Sequence, residues 1–372
     1  MRVIYFSRDY TPHDHRFLAA LAESEHEVSY LRLEKRGRLQ ETRPLPTGVR
    51  EIDWWGGDRP LHPLNWPRAA WEVRKVLNCE QPDLVHAGPI QSSAMLTAAA
   101  GFHPLLSMSW GSDLLQDANS GWGRWAARWT LERTDVFTGD CQTVRQRAID
   151  LGAPAHQTFV FPWGVDLEHF RPAQDRSVRE TMGWLGDEIV LLSTRSWEPL
   201  YGVLELAEAF IQVARDEPRL RLLMLGGGSL GSELVERFHL GGVADQVVMP
   251  GQIRFEELPD YYRAADLYVS ASHSDGSSIS LLEAMACGLP ALVSDIPANR
   301  EWVQEGENGW LFSVRDSDAL AWALRQAFKR QDRFPEFGAA SRAIAAERAD
   351  WERNFQVLMQ AYEAAARLGG HR

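Results

Sequence analysis

Asp275 and Glu283 stand eight residues apart in the segment DGSSISLLE, with Gly276, Ser277, Ser278, Ile279, Ser280 and Leu281 among the residues between them. An apolar run, DLYVSAS (266–272), precedes the segment and another, PALVSD (290–295), follows it. The pattern is strand, turn, helix, strand. Ser280 and Glu283 form S-x-x-E ahead of an apolar stretch, which by itself predicts a capping box at a helix start. The context adds chemistry. Asp275-Gly276 predicts a turn with available backbone amides. A helix amino end carries about half a positive charge and presents unpaired N–H groups. A turn that follows a strand lies on the edge where open α/β sheets bind ligands. Together these features suit a diphosphate. A carboxylate on each flank can accept hydrogen bonds from vicinal hydroxyls, a ribose on one side and a hexose on the other. The segment therefore predicts a seat for a nucleotide diphosphate sugar.

Other short patterns carry competing chemistry. GGGSLG (226–231) matches G-x-G-x-x-G between a strand and a helix, which raises NAD binding and an oxidoreductase as an alternative. That fingerprint needs an acidic residue at the end of the next strand. The next strand instead ends in Pro250, Gly251 and Gln252, so the glycines, Gly227 among them, are read as permitting a turn or close approach of a ligand. DSD (316–318) could hold a metal beside a diphosphate, but it opens a helix pattern where Asp is a preferred cap. No metal is assigned. HDHR (13–16) follows the first strand; its two histidines have no evident third ligand, and His15 and Arg16 are kept as candidates for phosphate or acceptor contacts.

These segments need a scaffold, and the chain supplies its pattern twice. Short apolar runs at 2–7, 27–33, 83–88, 104–110, 135–140 and 158–164 alternate with helical patterns at 15–24, 67–77, 92–101 and 123–134. After a linker-like GVDLEHFRP (164–172), strands at 188–194, 220–228, 246–252, 266–272 and 290–295 alternate with helices at 203–217, 232–241, 257–265, 298–306 and 316–330. ENGWLF (307–312) reads as a tight turn, and 351–368 as a long amphipathic helix with no strand after it. Such alternation predicts α/β architecture: two doubly wound, Rossmann-like parallel sheets in series, facing a cleft. The expected division is an acceptor-side domain over 1–165, joined by 351–372, and a donor-binding domain over 166–350.

Length and composition fit this picture. A chain of 372 residues is long for one core, and 45% hydrophobic with 24% charged residues is a globular composition. No stretch approaches the run of about 20 apolar residues that spans a bilayer, and the amino terminus reads as a strand rather than a signal peptide. The net charge of −12 is uneven: residues 1–165 hold 18 Lys and Arg against 19 Asp and Glu, and the rest hold 21 against 32. An acidic chain without a basic block argues against nucleic-acid binding. Cys79, Cys141 and Cys287 match no zinc spacing and predict free thiols in a reducing compartment, hence a cytoplasmic protein. Trp122, Trp125 and Trp129 share a helical face beside Arg124 and Arg128; this is either a sheet-packing face or an interfacial one. The basic loop RLEKRGRLQETR (32–43) is a solvated loop or, as the minor reading, a contact for anionic lipid. Peripheral attachment at an inner membrane face is thus an open expectation.

Nearly the whole chain resembles the retaining GT-B glycosyltransferases of family GT4. The resemblance rests on PWGVDLEHFRP (162–172), STRSWEPLYG (193–202), LMLGGGS (223–229), VVMPGQI (247–253), LPDYYRAADLYVSAS (258–272), DGSSISLLEAMACGLPALVSD (275–295) and PANREWVQEGENGWLF (297–312), in the family's order. It implies transfer of a sugar, with retention, from a UDP- or GDP-sugar to a hydroxyl of a glycan, lipid-linked or small-molecule acceptor, with neither cofactor nor metal. It implies that Asp275 bonds the donor sugar and Glu283 the ribose. The amides of Gly276, Ser277, Ser278, Ile279, Ser280 and Leu281 would meet sugar and phosphate. Arg195 would clamp the diphosphate, Gln252 and Ile253 would border the base, and 351–368 would cross back to the first domain.

Three departures stand out. The first acidic position is Asp275 where the family usually has Glu. The family's diphosphate-binding lysine falls near Tyr201, which brings no charge, so the expectation is either a weaker donor clamp or compensation by Arg254 or Arg16. A glycine pair and a histidine of the first domain are replaced by HDHR and by Trp110 in SWGSD (109–113), which would turn Asp113 toward the sugar or the acceptor. These losses keep a second possibility open, a nucleotide-sugar-binding protein with impaired catalysis.

Overall fold

The computed structural model describes residues 1–34, 41–57, 62–173, 177–184 and 186–369. It divides into two compact units, Met1–Phe161 with Phe355–Arg372, and Pro162–Asn354.

In the first unit, seven parallel strands run β1 (Arg2–Ser7), β2 (Glu27–Arg32), β3 (Arg50–Glu51), β4 (Leu84–Ala87), β5 (Leu105–Met108), β6 (Val136–Gly139) and β7 (Thr158–Val160). Their order across the sheet is β3-β2-β1-β4-β5-β6-β7. Six helices connect them: α1 (Pro12–Ala22), α2 (Trp66–Glu80), α3 (Met95–Ala100), α4 (Ser112–Leu115), α5 (Gly121–Leu131) and α6 (Gln142–Asp150). In the second unit, six parallel strands are β8 (Ile189–Ser193), β9 (Leu220–Leu225), β10 (Val247–Gly251), β11 (Leu267–Ser270), β12 (Ala291–Ser294) and β13 (Gly309–Phe312), in the order β10-β9-β8-β11-β12-β13. Its helices are α7 (Ser177–Thr181), α8 (Val203–Ala214), α9 (Gly231–Gly241), α10 (Leu258–Ala264), α11 (Ile279–Ala286), α12 (Pro297–Arg300), α13 (Ser317–Phe328) and α14 (Phe334–Arg348). The last helix, α15 (Trp351–Gly369), begins in the second unit and ends in the first.

Each sheet reverses its strand order once, between β1 and β4 and between β8 and β11. In doubly wound sheets such a reversal opens a crevice at the strands' carboxyl ends, where ligands sit. The central strands are buried on both faces, as parallel sheets covered by helices must be. Alternate residues divide between two layers. In the second unit Ile189, Leu191, Leu222, Val269 and Leu292 pack with α8, α9 and α13. Val190, Leu192, Leu223, Tyr268 and Val293 pack with α11 and the end of α14.

The last helix completes the first unit's core. Leu358, Ala361, Tyr362 and Ala365 are fully buried. The Tyr362 hydroxyl lies 2.8 Å from His86 Nδ1, on β4, and His26 stacks on the Tyr362 ring. Burial pushes the His86 pKa down to about 3, so the imidazole is neutral.

Several expected boundaries change. ENGWLF holds the edge strand β13 rather than a turn, and the helix expected over 298–306 is the single turn α12. α6 and α14 replace segments left without structure, because alanine and charged residues give them little apolar periodicity. Asp316 caps α13 through Oδ1 to the Ala319 amide, 2.8 Å, the role capping predicts for it. The tryptophan face divides: Trp129 packs against the core under β1 and β4, while Trp122 and Trp125 are 57% and 54% exposed. Residues 35–40 of the basic loop lie outside the described residues. None of the described helices is long and apolar enough to cross a membrane.

Candidate active site

The second unit's site forms where the sheet order reverses. Arg195 follows β8 and Asp275 follows β11, the two strands that flank the reversal. Gly202 lets their loops meet: at φ +61° it holds a left-handed turn, and a Cβ there would lie 2.1 Å from the Ala271 carbonyl oxygen. Only glycine serves both needs.

Arg195 is the hub. One of its terminal nitrogens donates to Ser278 Oγ at 2.6 Å and Ser280 Oγ at 3.0 Å; the other meets Asp275 Oδ2 at 2.6 Å. Its guanidinium carbon lies 4.2 Å above the Tyr201 ring. Burial disfavours the charge, but Asp275 and three neighbouring tyrosines more than offset it and raise the pKa, so Arg195 stays a cation. The Arg195 Nε is buried without a hydrogen-bond partner. Burial raises the Asp275 pKa, and Arg195 opposes that shift. Asp275 also accepts from the Gly276 amide at 3.1 Å.

The expected capping box is not formed. α11 starts two residues earlier than S-x-x-E requires: Ser278 is the cap residue, and no side chain caps the helix. Ser280 and Glu283 instead lie inside α11, each held by a tyrosine. Ser280 Oγ is 2.9 Å from the Tyr268 hydroxyl, and Glu283 Oε2 accepts from the Tyr262 hydroxyl at 2.7 Å. Burial raises both tyrosine pKa values, keeping the phenolic protons in place. The helix amino end therefore carries the uncapped geometry that suits an anion. Tyr262 and Tyr268 were not singled out by spacing, although both lie in LPDYYRAADLYVSAS; buried tyrosines signal hydrogen-bond partners.

The remaining expected residues are placed as follows. Tyr201 stacks on Arg195, a position where a lysine would set two cations together. Gln252 and Arg254 are exposed beyond β10, and Ile253 packs partly against the core. Arg254 pairs with Glu257 at the surface. Gly227 has open space around it, whereas Gly228 is required by packing, since a Cβ would sit 2.4 Å from the Trp197 carbonyl oxygen. Glu198 accepts from the Ser229 amide at 2.9 Å, so an anion of the chain already uses this glycine-rich loop's donor.

In the first unit, Asp113 does not face outward as expected. Its Oδ1 accepts from Ser109 Oγ and the Trp110 and Leu114 amides, and its Oδ2 accepts from the Ile90 amide at 2.9 Å. It ties the loop after β5 to the loop after β4. Trp110 lines a cavity of about 960 Å³ beside it. His15 Nδ1 is 2.7 Å from the Tyr10 hydroxyl, and burial followed by Arg43 lowers its pKa, which disfavours its charged form. Arg16 sits partly buried in the first turns of α1. Asp14 belongs to a capping box with Thr11, and burial lifts its pKa to about 6. No group of three acidic, histidine or cysteine side chains among the described residues could hold a metal ion.

Two parallel sheets in series, each with one reversal of strand order, are the arrangement of the GT-B fold. Each unit matches a glycosyltransferase family: residues 13–169 match Glycosyltransferase Family 4 and residues 175–349 match Glycosyl transferases group 1. It is similar to the D-inositol 3-phosphate glycosyltransferase of Geodermatophilus obscurus, 33% identical over 63% of this chain and 53% of that one. It is 28% identical to the GDP-mannose-dependent alpha-(1-6)-phosphatidylinositol monomannoside mannosyltransferase of Mycobacterium tuberculosis, over 72% of this chain and 71% of that one. The aligned stretch spans about half the length of the first of these relatives. Among solved structures, sucrose-phosphate synthase from Thermosynechococcus elongatus superposes with a TM-score of 0.80 at 19% identity, over 97% of this chain and 98% of that one. HepE of Anabaena in complex with UDP-glucose gives 0.77 at 18% identity, over 98% of each chain.

Proposed function

We propose that this chain is a retaining, metal-independent glycosyltransferase that moves a sugar from a UDP- or GDP-sugar to a hydroxyl of a glycan, lipid-linked or small-molecule acceptor. The observation that carries the reading is Arg195, a buried cation at the sheet reversal whose only anionic hydrogen-bond partner among the described residues is Asp275. A diphosphate arriving there offers a second anion. It bonds the guanidinium and the uncapped amides of α11, which frees Asp275 to accept from the sugar's hydroxyls. Glu283, held in place by Tyr262, accepts from the ribose. As the glycosidic bond breaks, negative charge grows on the phosphate, and donors already aimed at it favour that state. Retention follows if the acceptor attacks from the leaving-group face, with the departing phosphate oxygen taking its proton.

The relatives named above use GDP-mannose in one case and a complex with UDP-glucose in another, which supports a nucleotide-sugar donor here. A cytoplasmic site is consistent with Cys79, Cys141 and Cys287 forming no disulfide among the described residues. Peripheral membrane contact is supported by exposed Trp125 between Arg124 and Arg128. A second reading, binding without efficient transfer, is favoured by the replacement of the lysine with Tyr201. Release of UDP or GDP from a panel of sugar nucleotides, with and without acceptor hydroxyl compounds, tests both. Acceptor-dependent release establishes transfer. Thermal stabilisation by a nucleotide without release establishes binding alone, and stabilisation by NAD only overturns the proposal.

A further inference from the structure

The first unit has its own sheet reversal, between β1 and β4, and a cavity of about 960 Å³ lies there. Arg8 follows β1, Glu34 follows β2, Gln91 follows β4, and Asp117 and Trp122 come after β5. The volume is at the upper end of ordinary ligand sites, about 300–1,000 Å³. Its wall chemistry is specific. Trp66 and Trp122 meet edge to face, with ring centroids 6.3 Å apart, and Trp122 keeps over half of its surface open. A broad apolar face beside amide and carboxylate acceptors suits a compound with C–H faces and a rim of hydroxyls.

The charges decide what such a compound can carry. Among the described residues that line the cavity, Arg8 is the single cation, against Glu34, Asp113 and Asp117. Arg8 is already paired with Glu34 at 3.5 Å and also acts on Asp117. Asp113 is saturated by its own loop. Among the described lining residues a phosphate would meet an excess of carboxylates and no unshared cation, and like charges at such range repel.

We infer that this cavity takes the acceptor as an uncharged, polyhydroxylated ring laid against Trp122, and selects against acceptors bearing a phosphate. The word acceptor rests on the proposed transfer; the carbohydrate selectivity does not. It separates this chain from relatives named for inositol 3-phosphate.

The test uses the intact chain without donor. Methyl glycosides of glucose, galactose and mannose, and glucose 6-phosphate, galactose 6-phosphate and mannose 6-phosphate, are titrated while tryptophan fluorescence is followed. The expected result is saturable quenching by at least one neutral glycoside, with the matching phosphate at least tenfold weaker. Trp122→Ala, at an exposed position that folding tolerates, should weaken the neutral sugar at least tenfold. Glu34→Gln with Asp117→Asn should narrow the discrimination against the phosphate. Equal or tighter binding of the phosphates, unchanged binding in Trp122→Ala, or no saturable binding by any neutral glycoside would overturn the inference. UDP and GDP thermal shifts, measured in parallel, report on the second unit. Their absence would sink the donor reading while leaving the carbohydrate result to stand by itself.

Discussion

Asp275→Asn is the sharpest test of how the second unit prepares for a donor. In the free protein Asp275 neutralises Arg195 at 2.6 Å, with the two side chains only 19% and 11% exposed. Removing one partner of a buried pair costs about 3–5 kcal/mol, because the other charge is left uncompensated. Asparagine keeps an amide oxygen that accepts from the guanidinium, a bond worth about 1–2 kcal/mol to a charged donor. The net loss is therefore about 2 kcal/mol, or roughly 4–8 °C in midpoint for a unit of this size. A nucleoside diphosphate supplies the missing anion. The midpoint deficit of Asp275→Asn should thus shrink when UDP or GDP is saturating, and the variant should gain more from the nucleotide than the parent does. Sugar nucleotides should lose their advantage over the bare nucleotide, because the amide accepts more weakly from the sugar. Differential scanning fluorimetry with and without each ligand measures all three. An unchanged midpoint in the free protein, or a deficit equal with and without both nucleotides, refutes the exchange of anions at Arg195.

Tyr201→Phe should leave nucleotide affinity within about twofold, since the ring face under Arg195 persists, while Tyr201→Ala should weaken it about fivefold, the worth of a cation–π contact of roughly 1 kcal/mol; calorimetric titration with UDP and GDP separates the two. Glu283→Gln retains an acceptor for the Tyr262 hydroxyl yet should weaken UDP about tenfold, with no effect on 2′,3′-dideoxy-UDP, because only the ribose hydroxyls sense the lost charge. Equal losses for both nucleotides would leave Glu283 a purely structural residue. Asp14 has a folded pKa lifted to about 6 from 3.8, so its protonated form is favoured in the native state. Its stabilising share is full below the unfolded value and is lost as pH rises through the folded one, about 3 kcal/mol at most. The midpoint of the parent minus that of Asp14→Asn should accordingly fall between pH 4 and pH 7. A difference that is flat across this range contradicts the shift.

Much of this architecture is written in local patterns. The strands are dense in Val, Leu and Ile, because both faces of a parallel sheet are covered, and runs such as IVLLS and LYVS have little else to become. The helices that escaped, α6 and α14, depend on tertiary contacts that no window of sequence contains. The site divides in the same way. Asp275 and Glu283 were visible as residue types placed after a strand, and Arg195 through the family resemblance alone. What could not be seen was which of them touch. The S-x-x-E spacing is compatible with a cap, yet Ser280 and Glu283 are drawn inside α11 by Tyr268 and Tyr262, partners 12 and 21 residues upstream. Asp113 shows the converse. The departures from the family pattern turned it toward the sugar or the acceptor, but four donors from its own and a neighbouring loop claim it.

The placement of α15 carries a consequence for how the molecule is made. Its final turns, with Tyr362 against His86, belong to the unit whose other residues end at Phe161. Translation runs from the amino end, and domains tend to fold as they emerge. The first unit's sheet must therefore wait, with one flank uncovered, until α15 has been translated, while the second unit's sheet comes from one unbroken stretch and can close first. Shortening the carboxyl terminus ahead of Tyr362 should thus strike the opposite end of the polypeptide, leaving nascent strands β1 and β4 as bait for chaperones and proteases.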